Sequence, residues 1–143
     1  MKVLVIHGPN LNLLGSREQE VYGNTTLADL DNRIEKAAAE LGIDVAIHQT
    51  QREGEIIELL HAGIDDVGAA VVNPAAYSHT SRAIADAFRA VPFPVIEVHL
   101  SNIHARDEWR RISVTAEAAA GVITGFGTES YVAALGLIRS LIG

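Results

Sequence analysis

The chain has no cysteine. Disulfides, thiolate catalysis and cysteine-ligated metals are therefore excluded. It has no block of lysine or arginine, and its formal net charge is -7. Binding to a nucleic-acid backbone has no electrostatic support in such a chain. An anion still finds a site if a few arginines converge locally. No apolar run reaches membrane-spanning length. The opening M-K-V-L-V-I-H-G-P-N is too short in its apolar stretch for a signal peptide and breaks at Pro9, so the cytoplasm is the expected location. Phosphate loops are absent too: there is no G-x-G-x-x-G after the first strand and no G-K-[ST].

What remains is a chain of 143 residues, 48% of them hydrophobic, which suits one domain with a real core spanning residues 1–143. Val3 to His7 reads as a buried parallel strand. A polar connection rich in Gly and Asn follows over 8–25, a length that tends to be functional. Thr26 and Asp29 have capping spacing, and Leu27, Leu30, Ile34, Ala37, Ala38 and Leu41 form one stripe of a helix that Gly42 ends. Further along, strands are predicted over 43–47, 69–73, 95–98 and 122–124. Helices are predicted over 54–64 (Ile56, Ile57, Leu60 and Ile64 inward), 81–90 (Ala83, Ile84, Ala87 and Phe88 inward) and 129–141 (Tyr131, Leu135 and Ile138 inward). Five alternating strand–helix units with right-handed crossovers predict an α/β, flavodoxin-like three-layer sandwich around a five-stranded parallel sheet. A Rossmann half-domain is the nearest rival.

In such a sheet ligands bind beyond the carboxyl ends of the strands, where strand order reverses. Asn10, Asn12, Asn73 and His99 all fall there. Each asparagine either stabilises a turn or hydrogen-bonds a polar ligand. Arg17 and Tyr22 share the loop after the first strand. A phenol has a pKa near ~10 and serves as a base only if a cation favours its phenolate; the bland alternatives are a solvated arginine and a packed lid aromatic. The run S-H-T-S at 78–81 reads as an anion nest, as simple helix capping by Thr80 or Ser81, or as both. Glu97 and His99 alternate on the fourth strand and share a face. A buried glutamate needs a partner, and the imidazole is the natural one, either as an acid–base pair or as a structural one. His99 and His104 find no third ligand in register, so no metal is expected. Arg106 and Arg110 are spaced to share a helical face; one clamps a carboxylate, or the arginines form a solvated face with Asp107–Arg111 pairing. Arg82 and Asp86 have the same spacing for a simple ion pair.

H-G-P-N-L-N-L-L-G, R-E-x-x-x-Y-G, N-P-A-A-Y-S-H-T-S, I-E-V-H-L-S-N-I-H-A-R and G-F-G-x-x-S-Y, in that order over nearly the whole chain, resemble the type II 3-dehydroquinate dehydratases. The resemblance implies a lyase that needs no metal or cofactor. It implies anti-elimination of water from 3-dehydroquinate through an enolate to give 3-dehydroshikimate, in the shikimate pathway or in quinate breakdown. It also implies a homo-oligomer, a dodecamer built as a tetramer of trimers. In its terms Tyr22 resembles the base at C2 and Arg17 the lid arginine that favours the phenolate. Asn12 and Asn73 resemble the holders of a water at the enolate oxygen. His99 resembles the acid for the leaving hydroxyl, oriented by Glu97. Asn73, His79, Leu100, Ser101 and Arg110 resemble the substrate-binding set, and Asp86 the aspartate lent to a neighbour's site. Three positions depart from the pattern. Gln19 stands for a common proline, Ser16 for a frequent basic residue, and Ala75-Ala76 for frequent glycine. A binding or regulatory module on the same fold is the rival class. Gly8-Pro9-Asn10 and Asn73-Pro74 lack the acidic residues a receiver wants, and a flavin or nucleotide carrier wants the missing phosphate loop.

Overall fold

The structure, a computed structural model, describes residues 1–16 and 19–142, the side chains of Gln19 and Tyr22 excepted. Five parallel strands form the sheet: β1 (Lys2–His7), β2 (Asp44–Gln49), β3 (Ala69–Asn73), β4 (Val95–His99) and β5 (Gly121–Thr124). Their spatial order is β2-β1-β3-β4-β5. The chain starts inside the sheet, winds out to β2, then crosses back and builds in the other direction. Strand order therefore reverses between β1 and β3, and the crevice opens at their carboxyl ends. This is the α/β, flavodoxin-like three-layer sandwich.

The helices form because their apolar residues recur at helical spacing, and they stop where the caps say they should. After the short α1 (Gln19–Tyr22), α2 (Leu27–Leu41) begins at a reciprocal capping box in which Thr26 Oγ1 accepts from the Asp29 amide and Asp29 Oδ2 from the Thr26 amide. Gly42, at φ 69°, ends it in the left-handed region. Leu30, Ile34, Ala37 and Ala38 of α2 pack with Tyr131, Ala134, Leu135 and Ile138 of α5 (Glu129–Ile142) on one sheet face. On the other, Ile56 and Leu60 of α3 (Glu53–Ala62) meet Ile84, Ala87 and Phe88 of α4 (Arg82–Ala90). The inner strands β1, β3 and β4 are buried, as parallel strands between helix layers must be, while the edge strands β2 and β5 are partly exposed.

Some expectations shift. Ile64 is 42% exposed, because α3 ends at Ala62 and Gly63 turns the chain before Ile64 can join the stripe. Ala83 faces out and Ala85 in, Ala85 sharing its face with Phe88 three residues on. The 8–25 connection is not wholly irregular: it carries a 3-10 turn over Leu11–Leu13 besides α1. Among the described residues, no helix is long and apolar enough to cross a membrane.

Candidate active site

The three inner strands each deliver part of one cavity beyond their carboxyl ends. From β1 come Pro9, Asn10, Leu11 and Leu14; from β3, Asn73, Ala75, Ala76 and His79; from β4, His99, Leu100, Ser101, Ile103 and Arg110. The rim is tight at Gly8. A Cβ there would lie 2.7 Å from the Pro74 carbonyl carbon, so only glycine lets the β1 and β3 ends close up. The Gly8 amide donates to the Asn73 carbonyl at 2.8 Å and seals this approach.

The fourth strand supplies the acid–base pair. Glu97 is fully buried and His99 nearly so. His99 Nε2 lies 2.8 Å from Glu97 Oε2. A carboxylate only accepts, so Nε2 carries the hydrogen and the other ring nitrogen is left for chemistry. Ser113 Oγ donates to Glu97 Oε2 at 2.7 Å, and Thr115 Oγ1 donates to Oε1 in a short bond. Three donors thus hold a carboxylate that would otherwise be costly to bury. Ser113 and Thr115 were not foreseen. Their signal was the demand of a buried glutamate for more than one donor, and nothing local in S-V-T says which strand end it serves.

His79 reaches the cavity from the 3-10 turn over Ala75–His79. Its Nδ1–H donates to the Ile112 carbonyl at 2.7 Å. Burial pulls its imidazole below the usual histidine range. The hydrogen bond to Ile112 opposes this, and the charges of His99 and Arg110 add to the lowering. This lowering favours the uncharged ring, which offers Nε2 as an acceptor. Trp109 stands edge-on to His79 with ring centroids 5.1 Å apart, and the Arg110 guanidinium lies over it, 4.1 Å from the centroid. Arg110 is thereby held at the cavity wall, with a long 3.5 Å contact to Asp107 as its one ion pair among the described residues.

The arginine segment is not one helical face. Arg106 is extended between 3-10 turns at Ile103–Ala105 and Glu108–Arg111, so the Arg106–Arg110 spacing does not align them. The expected Asp107–Arg111 pair is replaced by Asp107–Arg110, and Arg82–Asp86 by Asp86–Arg89 at 3.4 Å. In both cases three-residue spacing brings the partners together. Of the 78–81 run, His79 enters the cavity lining while Ser81 Oγ caps α4 at the Ile84 amide, 3.0 Å away.

Asn10 lines the cavity and adopts φ 69°, a left-handed turn that asparagine tolerates. Asn12 does not line it. It is exposed, and its Oδ1 accepts from Gln51 Nε2 at 2.8 Å. Gln51 also accepts from the Asn10 amide at 2.7 Å, so a glutamine beyond β2, absent from the sequence reading, shapes the loop after β1. Ala75 holds φ 52°, a region that disfavours a Cβ by roughly 1–2 kcal/mol; this is where the departure from glycine falls. Asn73 Oδ1 accepts from the Ala75 amide at 3.0 Å and holds the turn. Asp86 is outside the cavity, 82% exposed on α4. Arg17 and the side chain of Tyr22 lie outside the described residues. Among the described residues no three His, Asp or Glu side chains are grouped to hold a metal.

Behind Asn73 lies a polar network that the sequence reading did not find. His7 is fully buried. Its Nε2 lies 2.7 Å from Asp31 Oδ1 and its Nδ1 3.0 Å from the Tyr131 hydroxyl. Burial raises the Tyr131 phenol well above its ordinary value; a hydrogen bond with the Asn73 side chain opposes this, and the Asp31 charge adds to it. The available signal was a histidine closing an apolar strand, which needs partners as Glu97 does.

Fold and rim together define an α/β enzyme of flavodoxin-like architecture, with a buried carboxylate–imidazole pair at the carboxyl edge of its sheet. The chain belongs to the dehydroquinase class II family, whose model matches residues 1–139, and it is an enzyme of the type II 3-dehydroquinate dehydratase kind. It is 54% identical over 140 residues to a 3-dehydroquinate dehydratase of Caldanaerobacter subterraneus subsp. tengcongensis, covering 98% of this chain and 95% of the relative. The crystal structure of the type II dehydroquinase of Butyrivibrio crossotus superposes with a TM-score of 0.95 at 41% identity, covering 97% of each chain. That of Propionibacterium acnes gives 0.93 at 44% identity, covering 97% of this chain and 96% of that one.

The anti course carried over with the resemblance is withdrawn. The matches place the chain among the class II dehydroquinases and give no support to an anti course. The tyrosine oxygen that would define the face of proton removal also lies outside the described residues. Elimination through an enolate is kept, without an assigned face.

Proposed function

We propose that the chain, acting as one catalytic domain, removes water from 3-dehydroquinate through an enolate to give 3-dehydroshikimate, as a step of aromatic biosynthesis or of quinate breakdown. The observation that carries this reading is the buried Glu97–His99 pair opening on the same cavity as Asn73 and Arg110. A proton next to a ketone is weakly acidic, so its removal wants a strong base and a stabilised oxyanion. A β-hydroxyl leaves poorly without an acid. His99 delivers that proton, with Glu97 orienting the ring and balancing its charge. Tyr22 takes the C2 proton, and Arg17 favours its phenolate. Asn73 and Asn12 serve the enolate oxygen through water; Asn12 would have to leave Gln51 to do so. Arg110, His79, Leu100 and Ser101 hold the carboxylate and ring hydroxyls.

Adding 3-dehydroquinate to the purified protein should produce steady growth of the absorbance of a conjugated enone acid. No growth at any enzyme concentration would overturn the reading, and a yellow protein with a flavin spectrum would favour a carrier instead. Substrate with deuterium at one C2 position of known configuration assigns the steric course directly.

The assembly belongs to the same proposal: a cytoplasmic homo-oligomer, a tetramer of trimers, in which Asp86 is lent to a neighbouring site. The exposure of Asp86 on α4, away from its own cavity, supports this. Sedimentation should show a particle far above the monomer mass of 15.3 kDa. A stable, fully active monomer would remove both the dodecamer and the shared site.

A further inference from the structure

With a neutral His7, the chain of hydrogen bonds behind Asn73 has one self-consistent direction. It starts at Asp31, a carboxylate on α2, which can only accept. His7 Nε2, 2.7 Å away, must therefore be the donor. In the neutral ring Nδ1 is then the acceptor, so the Tyr131 hydroxyl, 3.0 Å away, donates to it. With its hydrogen committed, the Tyr131 oxygen is left as an acceptor toward the Asn73 side chain, whose hydrogen bond opposes the rise of the phenol pKa, and Nδ2 is the only donor there. This agrees with the Asn73 carbonyl, Oδ1, which already accepts from the Ala75 amide at 3.0 Å. No donor faces a donor, and no side-chain atom of Asp31, His7, Tyr131 or Asn73 is buried without a partner. Reversing any one link would leave two donors or two acceptors opposed inside a buried network, which is costly.

We infer that Asp31, His7 and Tyr131 form a positioning relay that fixes the amide polarity of Asn73, so that its second Nδ2–H is presented as a donor to the molecule in the cavity. The placement supports this. His7 and Asn73 pair in register at the carboxyl ends of adjacent strands. Tyr131 comes from α5 and Asp31 from α2, so three elements converge on one amide. An asparagine flipped by 180° would present a carbonyl oxygen, which has no hydrogen to donate to the water serving the enolate oxygen. A preorganised donor is useful because its direction is set before charge appears. The network needs Asp31 at its outer end: without that acceptor, the His7 hydrogen is free to move to Nδ1 and oppose the Tyr131 hydroxyl.

This inference rests on Asn73 acting on the reacting molecule, as proposed above. The test is a double-mutant cycle between Tyr131→Phe and Asn73→Ala, with kcat and KM measured on folded enzyme verified by its melting temperature. Tyr131→Phe should lower kcat about tenfold, the scale of one hydrogen bond, with KM within about threefold of wild type. In the Asn73→Ala background the same substitution should cause no further loss, because the relay has nothing left to orient. A purely structural tyrosine would instead lower kcat equally in both backgrounds, and that result overturns the inference. So does Tyr131→Phe with kcat within twofold of wild type while Asn73→Ala is crippled. Asn73→Ala at full activity would overturn the role given to Asn73 as well, which separates the two failures. Should Tyr131→Phe not fold, Asp31→Ala takes its place in the cycle. It lies on a helix and is partly exposed, alanine suits a helix, and the same non-additive loss is expected.

Discussion

His99→Ala lowers turnover by roughly 10²–10⁴-fold, the range of general acid–base groups, toward its upper end because hydroxide leaves poorly unprotonated. The loss comes from the missing proton donor and not from collapse of the site. Glu97 keeps the Ser113 and Thr115 hydroxyls as donors, and the vacated space opens on the cavity that His99 lines, so water reaches the carboxylate. The melting temperature should therefore move far less than the rate. Steady-state kcat from enone absorbance reads the effect. A variant within about threefold of wild type would take His99 out of the mechanism and leave Glu97–His99 as a structural pair.

Tyr22→Phe abolishes turnover while substrate or an enolate-like analogue still binds. The substitution keeps the ring and deletes only the oxygen assigned to the C2 proton. Arg17→Ala fails for an electrostatic reason. An ordinary phenol has a pKa near ~10, so little phenolate exists near neutrality without a cation beside it. Because both variants break the same base, the double variant should be no worse than Tyr22→Phe alone. Raising the pH should partly rescue Arg17→Ala and leave Tyr22→Phe dead. A near-wild-type rate for Tyr22→Phe would place the base elsewhere. Equal damage to Arg17→Ala at every pH would mean that Arg17 closes the loop or holds substrate.

The Glu97–His99 pair was legible from the alternation of a strand and from the cost of burying a carboxylate. Both are local facts: residues two apart on a strand share a face whatever surrounds them. Ser113 and Thr115 were not legible, since they reach Glu97 from 16 and 18 residues away across irregular chain. The same holds for Gln51, 39 residues from Asn12. The arginine segment failed for a related reason. Helical spacing was applied to a stretch that folds as separate 3-10 turns with Arg106 extended between them. The polar run carried no apolar stripe to reveal this.

The sequence by itself determined the element order, the two-sided burial of β1, the caps at Thr26 and Gly42, and the carboxyl-edge position of Asn73 and His99. These follow from periodicity, from capping chemistry and from the rule that parallel strands need helical crossovers. Its motifs also determined the family. Tertiary structure alone decided that Asn12 turns to Gln51 while Asn10 faces the cavity, and that Trp109 backs Arg110 at its wall. It alone joined His7 to Asp31 and Tyr131, residues 24 and 124 positions apart from it. Hydrogen-bond partners of buried polar groups are set by which elements pack together, and single-chain periodicity records the need for a partner without its identity.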